Sequence, residues 1–424
     1  MEVKDQVTEE ENSRALWASP WKYKESIIIV FLILLGGIAL EVLSRGHQVR
    51  TIAMPYNIYM GFTYISLLVI FHLRYKNWPL TRWLSSIPAA LSAISLFAIM
   101  VLILGFLPQD VPYNSLIVKL TGVDHVKTSW LFLVTQLFFL TTLAMVIIRR
   151  AFPLNGKNIG FFLNHAGLFL TLTAATLGAG DIKRLDINLL KEGNESNIGV
   201  SGQGDIYKLP FSLQLLDFYI EEYNPRLGII DSSGQFVDYK GKAFPMAAKG
   251  LKTELYNWKI EVLNYLPHAV FADSAVHISD ETGNCPAAQI IAINIAKKDT
   301  IKGWVLSGSY LQEPLYLALD TANFLVLAKP EPKKYRSTIV VRTDSIKTDT
   351  VALEVNKPFM IKGWKIYQVS YDQSKGKWSS LSILEAVNDP WLPAVYTGFF
   401  MMMAGAVLLF WLGKTKISGK NTDN

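Results

Sequence analysis

Apolar residues run together in six long stretches, five before residue 180 and one close to residue 400. They predict membrane-spanning helices at Ser26–Ser44, Asn57–Leu73, Leu84–Leu107, Ser129–Ile148, Gly160–Ala179 and Leu392–Leu412. Each is close to the roughly 20 apolar residues that a bilayer core requires. Between the fifth and sixth stretches, continuous apolarity gives way to alternation. Phe211–Ile220, Trp258–Tyr265, Gln289–Ile295, Ser337–Arg342, Thr350–Val355 and Lys365–Tyr371 are short, rich in Val, Ile, Tyr and Trp, and parted by Gly, Pro, Asn or Asp. A period of two is that of half-buried strands. The expected fold class is a polytopic α-helical membrane protein of about six spans with a large all-β extracytoplasmic domain, sandwich-like in build. Lys329–Lys333 (KPEPK) reads as a turn or small linker inside that domain.

Charge orients the spans. Arg74, Lys76 and Arg82 lie between spans two and three, Arg149, Arg150 and Lys157 between four and five, and Lys414, Lys416 and Lys420 after the last. The alternate loops are poorer, with Arg45 and Arg50 in one and Lys119 and Lys127 in the other. By the positive-inside rule, both termini are expected in the cytoplasm and Asp181 to Trp391 outside the cytoplasmic membrane. Residues 1–25 then form an uncleaved cytoplasmic tail, being polar and mixed in charge rather than basic and then apolar.

Composition narrows the chemistry. Mean hydropathy is positive despite the large polar segment, as expected of a membrane protein with an aqueous domain. The net charge of +6 falls largely beside the spans, and no basic run is interleaved with aromatics, so nucleic acid is not an expected partner. Cys285 is the one cysteine, which excludes an intrachain disulfide framework, a CxxC redox or zinc site, and the C-x-x-C-H of a c-type cytochrome. It sits in ETGNCP, a turn-like setting.

The fifth span, GFFLNHAGLFLTLTAATLGAGD from Gly160, carries one ionisable side chain, His165. At 1.5 Å per residue it lies roughly 7–8 Å in from Gly160. On a helix, Gly167, Thr171, Ala174, Ala175 and Gly178 share a face of small residues suited to close packing. His165 is on the opposite face with Phe161, Phe162, Leu168, Phe169 and Leu172. An intramembrane imidazole is costly without a partner. A haem would supply one, with iron on His165 and the porphyrin against Phe161, Phe162 and Phe169. A neutral imidazole bonded to Asn164 or to a neighbouring helix accounts for the pattern equally well.

Other candidates carry less. His72 ends span two beside Arg74, where an interfacial role is expected. His47 and His125 fall in outer loops, and His268 and His277 in the β-domain at a spacing that fits no metal motif; solvent exposure is expected for all four. Glu221 and Glu222 are adjacent on a strand and point to opposite faces. Asn356, Pro358, Gly363 and Gln368 read as turn and strand determinants, Gly363 at a hairpin bend.

Several stretches, taken in order, carry a likeness. They are LGFLPQ from Leu104, Ser129-Trp130 through to Arg149-Arg150, and NHAGL from Asn164. VNKPF from Val355, GWKIYQVS from Gly363, Asp389-Pro390-Trp391 and Tyr396-Thr397-Gly398 follow. Over roughly residues 84–412 the chain resembles the ResB (CcsB) family of cytochrome c biogenesis proteins, of system II cytochrome c maturation. The resemblance implies domains at 84–180 (a three-helix core with His165), 181–391 (the β-domain) and 392–413 (the last span), with a cytoplasmic tail at 414–424. Residues 26–83 would be two additional helices that the family core lacks.

The resemblance further implies export of haem b as cargo and its attachment to apocytochrome c outside the membrane. His165 would be an axial ligand to the haem iron near the cytoplasmic face. The second ligand would come from a histidine of a CcsA/ResC-type partner, whose tryptophan-rich motif this chain lacks, and thiol-reducing partners would keep the client cysteines free. On that reading the chain is a subunit of a cytochrome c synthase complex, inactive alone. The competing reading is a membrane-anchored scaffold whose β-domain recruits partners without haem chemistry.

Overall fold

A continuous apolar stretch in a bilayer must satisfy its own backbone N–H and C=O groups, and the helix is how one segment does so. The computed structural model describes residues 15–111, 113–151, 156, 158–237, 243–343 and 348–418. Its helices are α1 Tyr23–Leu43, α2 Tyr56–Tyr75, α3 Pro79–Leu84, α4 Ile87–Phe106, α5 Leu116–Thr121, α6 Trp130–Ala151, α7 Ile159–Gly178 and α8 Leu392–Ser418. Six of them are long and apolar enough to cross a membrane, where six were expected. The expected third span begins too early. Leu84 ends the separate helix α3, and α4 starts only after Ser86, with a proline in its first turn. The last helix continues to Ser418, beyond the expected Leu412. Lys157, Lys420 and residues 1–14 lie outside the described residues.

The chain divides into a helical unit, residues 1–182 with 389–424, and a β unit, residues 183–388. In the helical unit, α6 supplies much of the interior. Its Phe138 and Phe139 join Trp83, Ala89 and Ala93 in one cluster, with Phe97 and Phe139 stacked at 4.9 Å. The small-residue face of α7 packs on α8, more than 200 residues later in the chain. A Cβ on Gly167 would lie 2.5 Å from the Gly398 carbonyl oxygen, and one on Gly178 would strike the Trp391 ring. Ala175 alone of the expected face is exposed. Asp181 ties the helix ends together. Its carboxylate accepts from the Met54 N–H (2.7 Å), the Asn57 amide (2.6 Å) and the Trp391 indole (2.6 Å).

The β unit begins directly after α7. Its first strands are β1 Lys183–Leu190, β2 Ser196–Ser201, β3 Ile206–Glu222, β4 Leu227–Asp231, β5 Lys252–Leu255, β6 Trp258–Ala272, β7 Ala275–Ile278 and β8 Cys285–Asn294. There follow β9 Thr300–Leu306, β10 Leu317–Ala318, β11 Asn323–Leu327, β12 Pro332–Arg342, β13 Thr348–Glu354, β14 Phe359–Ile361, β15 Trp364–Tyr371 and β16 Leu381–Asn388. Every expected strand is present. An eight-stranded antiparallel sheet runs β13-β12-β3-β2-β1-β16-β15-β14 over Leu185, Leu213, Ile339, Ile366 and Leu384. It curls on itself, because Ser337 on β12 donates to Gln368 Oε1 on β15 (2.5 Å) and meets the Ser382 hydroxyl on β16 (2.7 Å). Gln368 is thus a core polar residue, as its structural reading requires.

Strands β4 to β11 are inserted between β3 and β12. They form a three-stranded and a five-stranded sheet that share a core of Ile229, Trp258, Ile260, Ile290 and Leu325. The sandwich-like build is that of this insert. Residues 329–333 are the return from it, and Pro332 and Lys333 already belong to β12. The bend between β14 and β15 is the two-residue loop Lys362-Gly363, both with positive φ (45° and 82°), as mirror-image hairpin turns demand.

Candidate functional site

Helix α7 places His165 about one and a half turns from its N-terminal end. The imidazole Nδ1 lies 3.0 Å from the Phe161 carbonyl oxygen, one turn back. A carbonyl only accepts, so Nδ1 carries a proton, and in the neutral imidazole the lone pair is on Nε2. The hydrogen-bond partner is therefore the helix's own backbone. Asn164, the alternative expected from the sequence, instead donates to the Met402 carbonyl of α8 at 3.1 Å. The Phe161 ring stacks on the imidazole with centroids 3.7 Å apart and planes at 23°. The Arg150 guanidinium, from the end of α6, sits 4.6 Å from the other ring's centroid, that of Phe161.

His165, Phe161, Phe162 and Phe169 are half-buried. Leu168 and Leu172, which the helical wheel put beside them, pack instead against the Trp83–Phe138 cluster. The small residues of α7 are taken up by α8, and Leu168 and Leu172 by α3, α4 and α6. What remains on the His165 face of α7 is the aromatic set Phe161, Phe162 and Phe169, one turn either side of the histidine. An imidazole so held is a ready donor to a soft or borderline metal centre in an apolar setting. Among the described residues, no group of three or more His, Cys, Asp or Glu side chains could hold a free metal ion.

Residues 293–388, from the end of β8 to the end of β16, match the ResB-like family model. This supports a ResB family protein. That family points to a role in cytochrome c biogenesis. The matched part includes the Lys362-Gly363 turn and the buried Gln368, and it lies wholly in the β unit. No curated protein matches the chain.

Sequence reasoning misplaced His125. It is buried, not solvated: Nε2 is 3.0 Å from Glu41 Oε1 and Nδ1 is 2.8 Å from Asp124 Oδ1. Glu41 is fully buried, and its second oxygen accepts from the Trp130 N–H at 2.7 Å. The signal was legible, since Glu41 is an acid inside the first expected span, and a buried carboxylate implies a partner. His47, His268 and His277 are exposed. His72 is half-buried, with no hydrogen-bond partner for Nδ1 among the described residues.

Glu221 and Glu222 do part company. Glu221 is bonded to Lys333 at 2.6 Å, whereas Glu222 lines a cleft of about 120 Å³ with Asn284, Cys285, Tyr371 and Lys377. Lys377 donates to the Asn284 side chain (2.9 Å). Burial pushes the Glu222 carboxyl up and the Lys377 amine down, and burial with Glu222 nearby pushes Tyr265 up to about 12. Cys285 does not sit in a turn. It opens β8, is 1% exposed, and burial raises its thiol above the ordinary range, which makes it unreactive.

Proposed function

We propose that this chain is the ResB-type membrane subunit of a machinery that takes haem across the cytoplasmic membrane and attaches it to apocytochrome c outside, with a CcsA/ResC-type partner. The observation that supports this most is the Nδ1–H bond from His165 to the Phe161 carbonyl. It holds the imidazole in the tautomer whose Nε2 binds iron, within an aromatic strip suited to a macrocycle. Phe161, lying flat on the imidazole, steadies the ligand. Phe162 and Phe169, one turn to either side, are the residues offered to porphyrin edges. Arg150 is a cation within reach of a carboxylate arm. A single histidine fills one axial position, so the second comes from the partner. The β unit would receive the client polypeptide.

Thioether formation joins two cysteine thiols to two vinyl groups and requires the iron to be reduced. What this chain supplies is therefore ligation, orientation and exclusion of water. The test is the visible spectrum of the purified protein, alone and with a CcsA-type partner. A Soret band is expected in at least one state, weakened or lost in His165→Ala and recovered by added imidazole. Haem content unchanged in that variant rejects His165 as the ligand. Preparations free of haem in both states favour a scaffold whose β unit recruits partners.

A further inference from the structure

Helix α2 belongs to the additional N-terminal pair at residues 26–83, and it builds something with α6 and α7. Between α2, α6 and α7 lies a cavity of about 300 Å³, its walls almost wholly apolar. Gly61 and Tyr64 of α2, Gln136 and Leu140 of α6, and Thr173 and Thr176 of α7 line it. Gly61 keeps it open, since a Cβ there would already lie 2.6 Å from a methyl of Leu177.

The polar groups of this cavity are incompletely used. Thr173 is 9% exposed, and its hydroxyl has no hydrogen-bond partner among the described residues. Gln136 gives one amide N–H to the Thr176 oxygen at 2.5 Å, which leaves it a second. The Thr176 hydroxyl is committed to the Leu172 carbonyl, and Tyr64 pairs with Thr141. An unpaired hydroxyl in an apolar surrounding is costly, and two donors in one cavity call for an acceptor.

Depth and size limit what that acceptor can be. Thr173 is five residues from the end of α7 and Gln136 six residues into α6, so the donors lie about 8–9 Å inside the span at 1.5 Å per residue. Phospholipid ester carbonyls stay in the interfacial region outside the hydrocarbon core, and acyl chains carry no acceptor. The cavity has about twice the 150 Å³ that accepts benzene, room for one substituted ring. We propose that α2, α6 and α7 bind the head group of a lipid-soluble quinone, whose ring carbonyl accepts from Thr173 and Gln136. This inference is independent of haem at His165, and it gives the additional helix α2 a role.

The full chain in phosphatidylcholine nanodiscs, illuminated with an azido-ubiquinone and mapped by mass spectrometry, tests it. Labelling is expected to saturate, to fall on peptides of α2, α6 and α7, and to be competed by decylubiquinone. Thr173→Val, which keeps shape and loses the hydroxyl, is expected to weaken competition about tenfold, the worth of one well-made hydrogen bond in an apolar site. Gly61→Leu, which fills the cavity, is expected to abolish labelling at unchanged helix content. The Soret band should be the same in both variants as in the unmodified chain. Labelling spread over all lipid-facing helices, competition by plain lipid or haem rather than quinone, or an unaltered Thr173→Val would overturn the proposal.

Discussion

The His125 ring lies between two carboxyl groups, with Nδ1 2.8 Å from Asp124 Oδ1 and Nε2 3.0 Å from Glu41 Oε1. Glu41 lies in the first apolar stretch and His125 in a loop 84 residues later, so no local pattern connects them. His125→Ala removes a hydrogen-bond partner of the fully buried Glu41 side chain. Leaving a buried polar group unpaired should cost about 1–3 kcal/mol in denaturant unfolding of the purified protein. Glu222 gives a second check, through pH. Burial raises its folded-state carboxyl above the unfolded value, so the folded chain holds that proton more tightly. The resulting stabilisation is complete below the unfolded value and fades as pH rises through the raised folded one. Glu222→Gln should then be more stable than the parent at pH 8, with the advantage vanishing near pH 4, as thermal unfolding at the two pH values would show. His165 was legible as a residue because a lone ionisable group in an apolar run is conspicuous. Its proton position was not, because that depends on where the Phe161 carbonyl points.

At the scale of elements, periodicity carried most of the fold. Continuous apolar runs became helices, and strong alternation became β3, β6, β8, β12, β13 and β15. Strands such as β1 escaped notice. Leu185, Ile187 and Leu189 alternate correctly, yet Arg184, Asp186 and Asn188 on the outward face dilute the apolar signal that sequence reading relies on. The small-residue face of α7 was visible as a packing surface, while its partner was not. Gly167 lets the α7 and α8 backbones approach, so Gly167→Leu must push them apart. Loss of about 1–3 kcal/mol or more is expected from overpacking, read as a lower unfolding midpoint in detergent, with His165→Ala as a variant that leaves this seam untouched.

For the whole molecule, the distribution of lysine and arginine makes a prediction that contacts do not. A reporter enzyme fused after Lys420 should be active only when it requires the cytoplasm, and one inserted at Gly204, in the turn between β2 and β3, only when it requires the outer side. The reverse pattern would overturn the topology and with it the direction of haem movement proposed above. Six long apolar helices, a β-rich segment between the fifth and sixth, and a histidine within the fifth apolar run follow from runs and alternation within single segments, where neighbours along the chain are neighbours in space. The insertion of one β core into another, the α7–α8 seam, the Glu41–His125–Asp124 cluster and the cavity under α2 each join residues tens to hundreds of positions apart. Such pairings are set by complementary shape and charge across the folded molecule, and no local period encodes them.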